Sequence, residues 1–72
     1  MIKLTDEHVG HIVKAKNGFE GLLTKCPNDS SGYSYNVHFD NFTETYTSDG
    51  MVFLDGRSSI WDIVEVLPKG NN

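Results

Sequence analysis

Tyr46-Thr47-Ser48-Asp49-Gly50-Met51-Val52-Phe53-Leu54-Asp55-Gly56 sets two Asp-Gly pairs on either side of a short apolar run. Asp and Gly tolerate the positive φ angles that tight turns demand, and Met51 to Leu54 suits a buried strand. The stretch reads as one strand held between two reversals, the unit from which a small barrel is folded.

The chain on either side repeats that pattern. Downstream, Asp55-Gly56-Arg57-Ser58-Ser59 forms the second reversal and Ile60 to Leu67 a last strand. Val64 and Val66 flank Glu65 in good alternation, but Trp61 and Ile63 fall on the opposite phase. A bulge or a short turn near Asp62 reconciles the two. Upstream, Thr43 to Thr47 is β-branched and aromatic, as strands prefer, and Asp40-Asn41 is a turn. Tyr33 to Asp40 alternates most cleanly, with Tyr33, Tyr35, Val37 and Phe39 on one face. Cys26 to Gly32 is a polar loop. His11 to Lys16 and Phe19 to Lys25 make a hairpin around Asn17-Gly18, the strongest short-range hairpin signal in the chain. Gly21 inside the second of these strands points to a bulge or a sharp bend. Thr5 to Gly10 reads as a single helical turn, with Asp6 and Glu7 at its positive end. Its capping box lacks the usual Glu at the third position after Thr5.

Five or six short strands with turn signals between them predict an all-β fold. A small SH3-like, partly open barrel with one N-terminal helical turn fits the strand lengths best. Residues 1–68 form the domain and 69–72 a flexible tail, since Pro68 cannot extend a ladder. A chain of 72 residues buries only ~60% of its unfolded surface, so the core is thin. Small folds are often supplemented by disulfides, metals or self-association. Cys26 is the only cysteine, so no intrachain disulfide forms, and self-association is the supplement left open. The single thiol fits a reducing cytosol. No apolar run approaches the ~20 residues of a membrane helix, and the N-terminus turns acidic at Asp6 and Glu7 before a signal-peptide core develops. A soluble protein of the cytoplasm is expected.

Six basic and ten acidic residues give a formal charge of −4. Residues 40–67 carry Asp40, Glu44, Asp49, Asp55, Asp62 and Glu65 against Arg57 alone. That surface disfavours duplex DNA, whose binding depends on neutralising phosphates, and permits docking on a basic partner. No nucleophile elbow or other catalytic motif is present, and Cys26 has only Lys25 as an adjacent cation. No enzyme is expected. Asp49 and Asp55 lack the regular ligand spacing of a calcium loop, so neither a metal nor a cofactor is expected. Among the rings, Phe39, Phe53 and one of Tyr33 or Tyr35 belong in the core. Tyr46, Trp61 and Phe42 are expected nearer the surface, where Trp and Tyr tolerate half-wet sites.

Tyr46-Thr47-Ser48-Asp49-Gly50 followed by Asp62-Ile63-Val64-Glu65-Val66 resembles small uncharacterised phage and prophage proteins with a Tyr-Thr-x-Asp-Gly and a closing Asp-Ile-Val-Glu-Val. The resemblance implies a phage accessory protein acting in a bacterial cytoplasm, by binding a host or viral macromolecule or by sequestering a nucleotide. The reading taken from the residues is a non-enzymatic binding protein. It docks through Tyr46, Asp49, Asp55, Arg57 and Trp61; on the resemblance, what it docks on is a host or viral protein, with inhibition as one outcome. The alternatives are an oligomeric binder of a small nucleotide ligand, through ring stacking and Arg57 on phosphate, and a structural or assembly component.

Overall fold

Side-chain alternation lays down five antiparallel strands: β1 (Ile12–Ala15), β2 (Glu20–Lys25), β3 (Tyr35–His38), β4 (Thr43–Tyr46) and β5 (Ile63–Val66). A computed structural model describes residues 2–27 and 32–69. The expected loop residues 28–31 and tail residues 70–72 lie outside that range. The strands form one sheet in the order β4-β3-β2-β1-β5. β1 to β4 therefore run as a meander, and β5 returns to the free side of β1, the connectivity expected of an SH3-like roll. The sheet stays open between β4 and β5. Among the described residues the only helical element is the 3₁₀ turn Asp6–His8, and no helix is long and apolar enough to cross a membrane.

The inner face is set by period two. Val13 and Ala15 of β1, Leu23 of β2, and Tyr35 and Val37 of β3 are buried, joined by Leu4, Phe39, Tyr46 and Ile63. The β1–β2 hairpin turns over Lys16 to Gly18, with Ala15 and Phe19 bonded across its base at 2.8 Å. Gly21 does not bulge: it pairs in register with Val13. It serves close approach instead. A Cβ there would stand 2.6 Å from Val37 Cγ1 and 2.7 Å from the His38 carbonyl oxygen, so β3 curls over β2 only where that carbon is missing. The bulge lies in β5, where Lys14 pairs with Glu65 but Ala15 pairs with Ile63. Val64 is the extra residue and faces solvent. Alternation of Val64 with Val66 is thereby overturned, because the bulge resets the phase between Ile63 and Glu65.

Met51 to Leu54 is not a strand. Both flanking reversals exist, and Gly50 turns at φ +76° with its N–H on Thr47 O at 2.9 Å. Between them, however, the backbone bonds go elsewhere. Thr47 N–H donates to Met51 O at 2.9 Å and Gly56 N–H to Phe53 O at 3.2 Å. Val52 N–H donates to the Asp62 carboxylate at 3.1 Å, and Val52 O accepts from the Tyr33 hydroxyl at 2.8 Å. A segment satisfied by side chains and its own turns has no ladder left to join. Phe53, expected in the core, is consequently exposed.

The 3₁₀ turn is fastened at both ends. The capping box, expected to be incomplete for want of Glu, is instead closed by His8, its Nδ1 accepting from Thr5 N–H at 3.1 Å. Asp6 Oδ1 accepts from the Tyr35 hydroxyl at 2.7 Å and from Lys25 Nζ at 3.0 Å. The Tyr35 bond first, then Lys25, holds the Asp6 carboxyl below its ordinary value.

Two outcomes follow from this geometry. Gly21→Ala should lower stability by about 1–3 kcal/mol, because one of the clashing atoms is backbone. Urea unfolding should show a lower midpoint at unchanged slope. Asp6 is depressed in the folded state, so the unfolded chain binds its proton first and the contact stabilises fully above the unfolded carboxylate pKa of ~3.9. That contribution is lost as pH falls through the lower folded value. Asp6→Asn should flatten the acid limb of a stability-against-pH curve while leaving its neutral plateau shape unchanged.

Candidate functional site

The inner face of the roll runs out of enclosure at the end where the β1–β2 and β3–β4 hairpins turn. Phe19 continues the inward parity of Gly21 and Leu23, and Phe39 that of Tyr35 and Val37. Phe39 N–H donates to Phe42 O at 2.9 Å across the Asp40-Asn41 turn, which brings Phe42 beside Phe39. Trp61 arrives from the turn before β5, where Asp62 N–H donates to Ser59 O at 3.1 Å. These four rings form one cluster. Trp61 meets Phe19, Phe39 and Phe42 edge to face, with centroids 5.2, 5.0 and 4.9 Å away. Phe39 and Phe42 stack at 5.2 Å.

The cluster is graded from core to solvent. Phe39 is buried, Trp61 half-buried, Phe42 40% exposed and Phe19 58% exposed, with Ile60 beside Trp61 in the chain 61% exposed. Asn17 N–H donates to Ile60 O at 2.9 Å, so the β1–β2 tip is tied to the Trp61 turn. Asp40 and Glu20 adjoin the rings in sequence and are exposed. Lys14 pairs with Glu20 and with Glu65 on neighbouring strands. The result is a partly exposed apolar patch at one end of the roll.

Comparison with protein-family models, curated proteins and solved structures finds no match.

The five residues expected to act together are dispersed. Tyr46 is wholly buried, which corrects its expected exposure: at Tyr46↔Tyr35 it lies on the inward face of β4. Its hydroxyl donates to Trp61 O at 2.6 Å. Burial, followed by the charges of Glu44 and Asp62, pushes that hydroxyl above its ordinary pKa, so it remains a donor. Asp49 pairs with Lys3 at 3.5 Å. Asp55 pairs with Arg57 at 2.9 Å, and the guanidinium lies 4.6 Å from the Phe53 ring centre. The Arg57 N–H bond first, then its charge, lowers the Asp55 carboxyl. No hydrogen bond, ion pair or ring contact joins Arg57 to Trp61 among the described residues. The guanidinium and ring that nucleotide binding would use are engaged by the chain's own side chains. Of the five, Trp61 alone belongs to the patch.

Phe19 was missed by sequence reading, although its parity with Gly21 and Leu23 marks it as inward-facing at a strand's start. Asp62 was read as surface acid and is instead buried. Its Oδ1 accepts from Val52 N–H at 3.1 Å and its Oδ2 from Ser59 N–H at 2.9 Å. A shallow cleft of about 230 Å³ opens beside it, lined in part by Lys16, Asp49, Met51 and Ser58. Lys16 Nζ already donates to Ser58 Oγ there, at 2.7 Å. Among the described residues every buried side-chain nitrogen or oxygen has a partner, and no three metal-ligating side chains gather.

Asp62→Ala should strand both N–H groups and cost about 2–3 kcal/mol of stability, as for hydrogen bonds to a charged group. Emission of Trp61, the only tryptophan, should shift to the red in the native baseline as its turn loosens. An unchanged midpoint and spectrum would show that Asp62 does not hold the segment.

Proposed function

We propose that this is a non-enzymatic binding module that docks on a partner protein through the end patch of Phe19, Phe42 and Trp61. One observation carries the reading: Phe19 and Phe42 each pack on Trp61, and Phe42 and Trp61 pack on the core residue Phe39, yet Phe19 and Phe42 stay substantially exposed. Contiguous exposed aromatic surface on a small protein marks interaction sites. Rings already braced against a core lose little conformational freedom on docking, which favours tight contact. Aromatic anchors are the usual centre of an interface hot spot, and the excess of acidic residues over 40–67 suits a basic partner. On the phage resemblance, that partner is a host or viral protein.

Relative to the sequence reading, the docking centre moves from Tyr46 and the Asp49–Arg57 stretch to the hairpin end, with Trp61 common to both. Phe19→Ser with Phe42→Ser should leave the fold intact and weaken a partner captured from bacterial lysate by about 2 kcal/mol or more, the usual loss at a hot spot. Titration followed by Trp61 emission measures it. Undiminished affinity in that double variant, with loss instead in an Asp49→Lys, Asp55→Lys variant, would move the surface back to the long loop.

A further inference from the structure

β4 is an edge strand beside the patch, and its register fixes which of its backbone groups are free. Phe39 and Phe42 are bonded across the hairpin turn, and Val37 pairs with Glu44 and Tyr35 with Tyr46. In an antiparallel ladder alternate residues direct their N–H and C=O groups at one neighbour. Glu44 and Tyr46 therefore bond to β3, and Thr43 and Thr45 point theirs at the open edge. No backbone partner for those groups occurs among the described residues.

Edge strands are commonly protected by lysine or by an inward-facing charge. Here the charge is Glu44, half-buried and opposite the buried Val37, and β4 carries no cation. Glu44 shares its face with Phe42, so the acid and the patch lie in line along the edge. Pairing with a second copy is opposed by this arrangement. The register that would use both threonines sets Thr43 against Thr45 of the copy, and it puts the two Glu44 carboxylates directly across from each other. Like charges so placed are destabilising, and opposite charges there are stabilising.

Resting on the docking reading above, we infer that the partner adds an antiparallel strand to the free edge of β4. That strand carries a lysine or arginine opposite Glu44 and an apolar side chain two residues later, opposite Phe42. Main-chain bonds to Thr43 and Thr45 supply the attachment, and the cation-x-apolar pattern supplies selectivity. The carboxylate thus discourages self-pairing and selects a basic partner with the same charge.

The test uses the full chain, labelled with ¹⁵N, and two end-blocked peptides, Thr-Val-Thr-Lys-Thr-Leu-Thr and its twin with Glu in place of Lys. The lysine peptide should shift the Thr43 and Thr45 amide signals and slow their solvent exchange. It should bind about tenfold more tightly than the twin, as expected for reversing one directly opposed charge pair. Glu44→Lys should invert that preference. Equal binding of the two peptides by the wild-type chain overturns the inference, and so does protection of Thr43 and Thr45 through dimerisation without peptide. Shifts confined to Phe19, Phe42 and the Trp61 indole would also overturn it, leaving the docking patch standing. No shift anywhere at millimolar peptide overturns the inference too, while the docking patch stands or falls on the Phe19→Ser, Phe42→Ser titration.

Discussion

The buried carboxylate of Asp62 is the constraint on which the second half of the molecule depends. Residues 47–62 contain no strand, and structureless connections longer than about 12–15 residues are uncommon in compact domains. This one is held because Asp62 accepts from Val52 at one oxygen and Ser59 at the other, while its own carbonyl accepts from Lys16 N–H at 2.8 Å. The same residue thus ties Val52 in the middle of the segment to Ser59 near its end and delivers β5 to β1. A charge this enclosed is tolerable only because the N–H groups replace the water it has lost.

Tyr46 and Gly50 carry that order across the open side of the sheet. The Tyr46 hydroxyl bonds the Trp61 carbonyl, and Ile63 N–H bonds Gly50 O at 2.8 Å. β4 and β5 are therefore each tied by one bond to the segment between them, where a closed barrel would have a ladder. Because Tyr46 reaches Trp61 from inside, the Trp61 backbone is positioned by the core while its ring is left to the surface. The patch inherits its rigidity from this division.

The parts of the fold that were legible in the sequence are those decided locally. Asn17-Gly18 marks its hairpin, Tyr35, Val37 and Phe39 alternate inward, and both Asp-Gly pairs turn the chain. Met51 to Leu54 misleads because an apolar run needs a neighbouring ladder to become a strand. Its backbone partners, Tyr33 and Asp62, are remote in sequence and bond through side chains. Tyr46 misleads for a related reason: its parity opposite Tyr35 is readable only once β3 and β4 are in register. Trp61 and Phe42 were legible as exposed rings. Their association with Phe19 was not, since it depends on two hairpin tips and a pre-strand turn meeting at one end of the roll.

Exposure at that end and openness at β4 have one physical origin. A domain of this size buries a smaller share of its surface than a large one, and here the shortfall falls on the outer rings and the sheet edges. Phe42 and Trp61 extend the core by packing on Phe39, and Phe19 by packing on Trp61, which leaves the outer faces of Phe19 and Phe42 wet. The sheet likewise ends at β4 and β5 and is managed locally, by Glu44 on one edge and the Val64 bulge on the other. Such devices limit indiscriminate pairing without covering the backbone groups of Thr43 and Thr45. Apolar anchors, an ordered edge and an acid between them thus arise together from the limits of a small open roll.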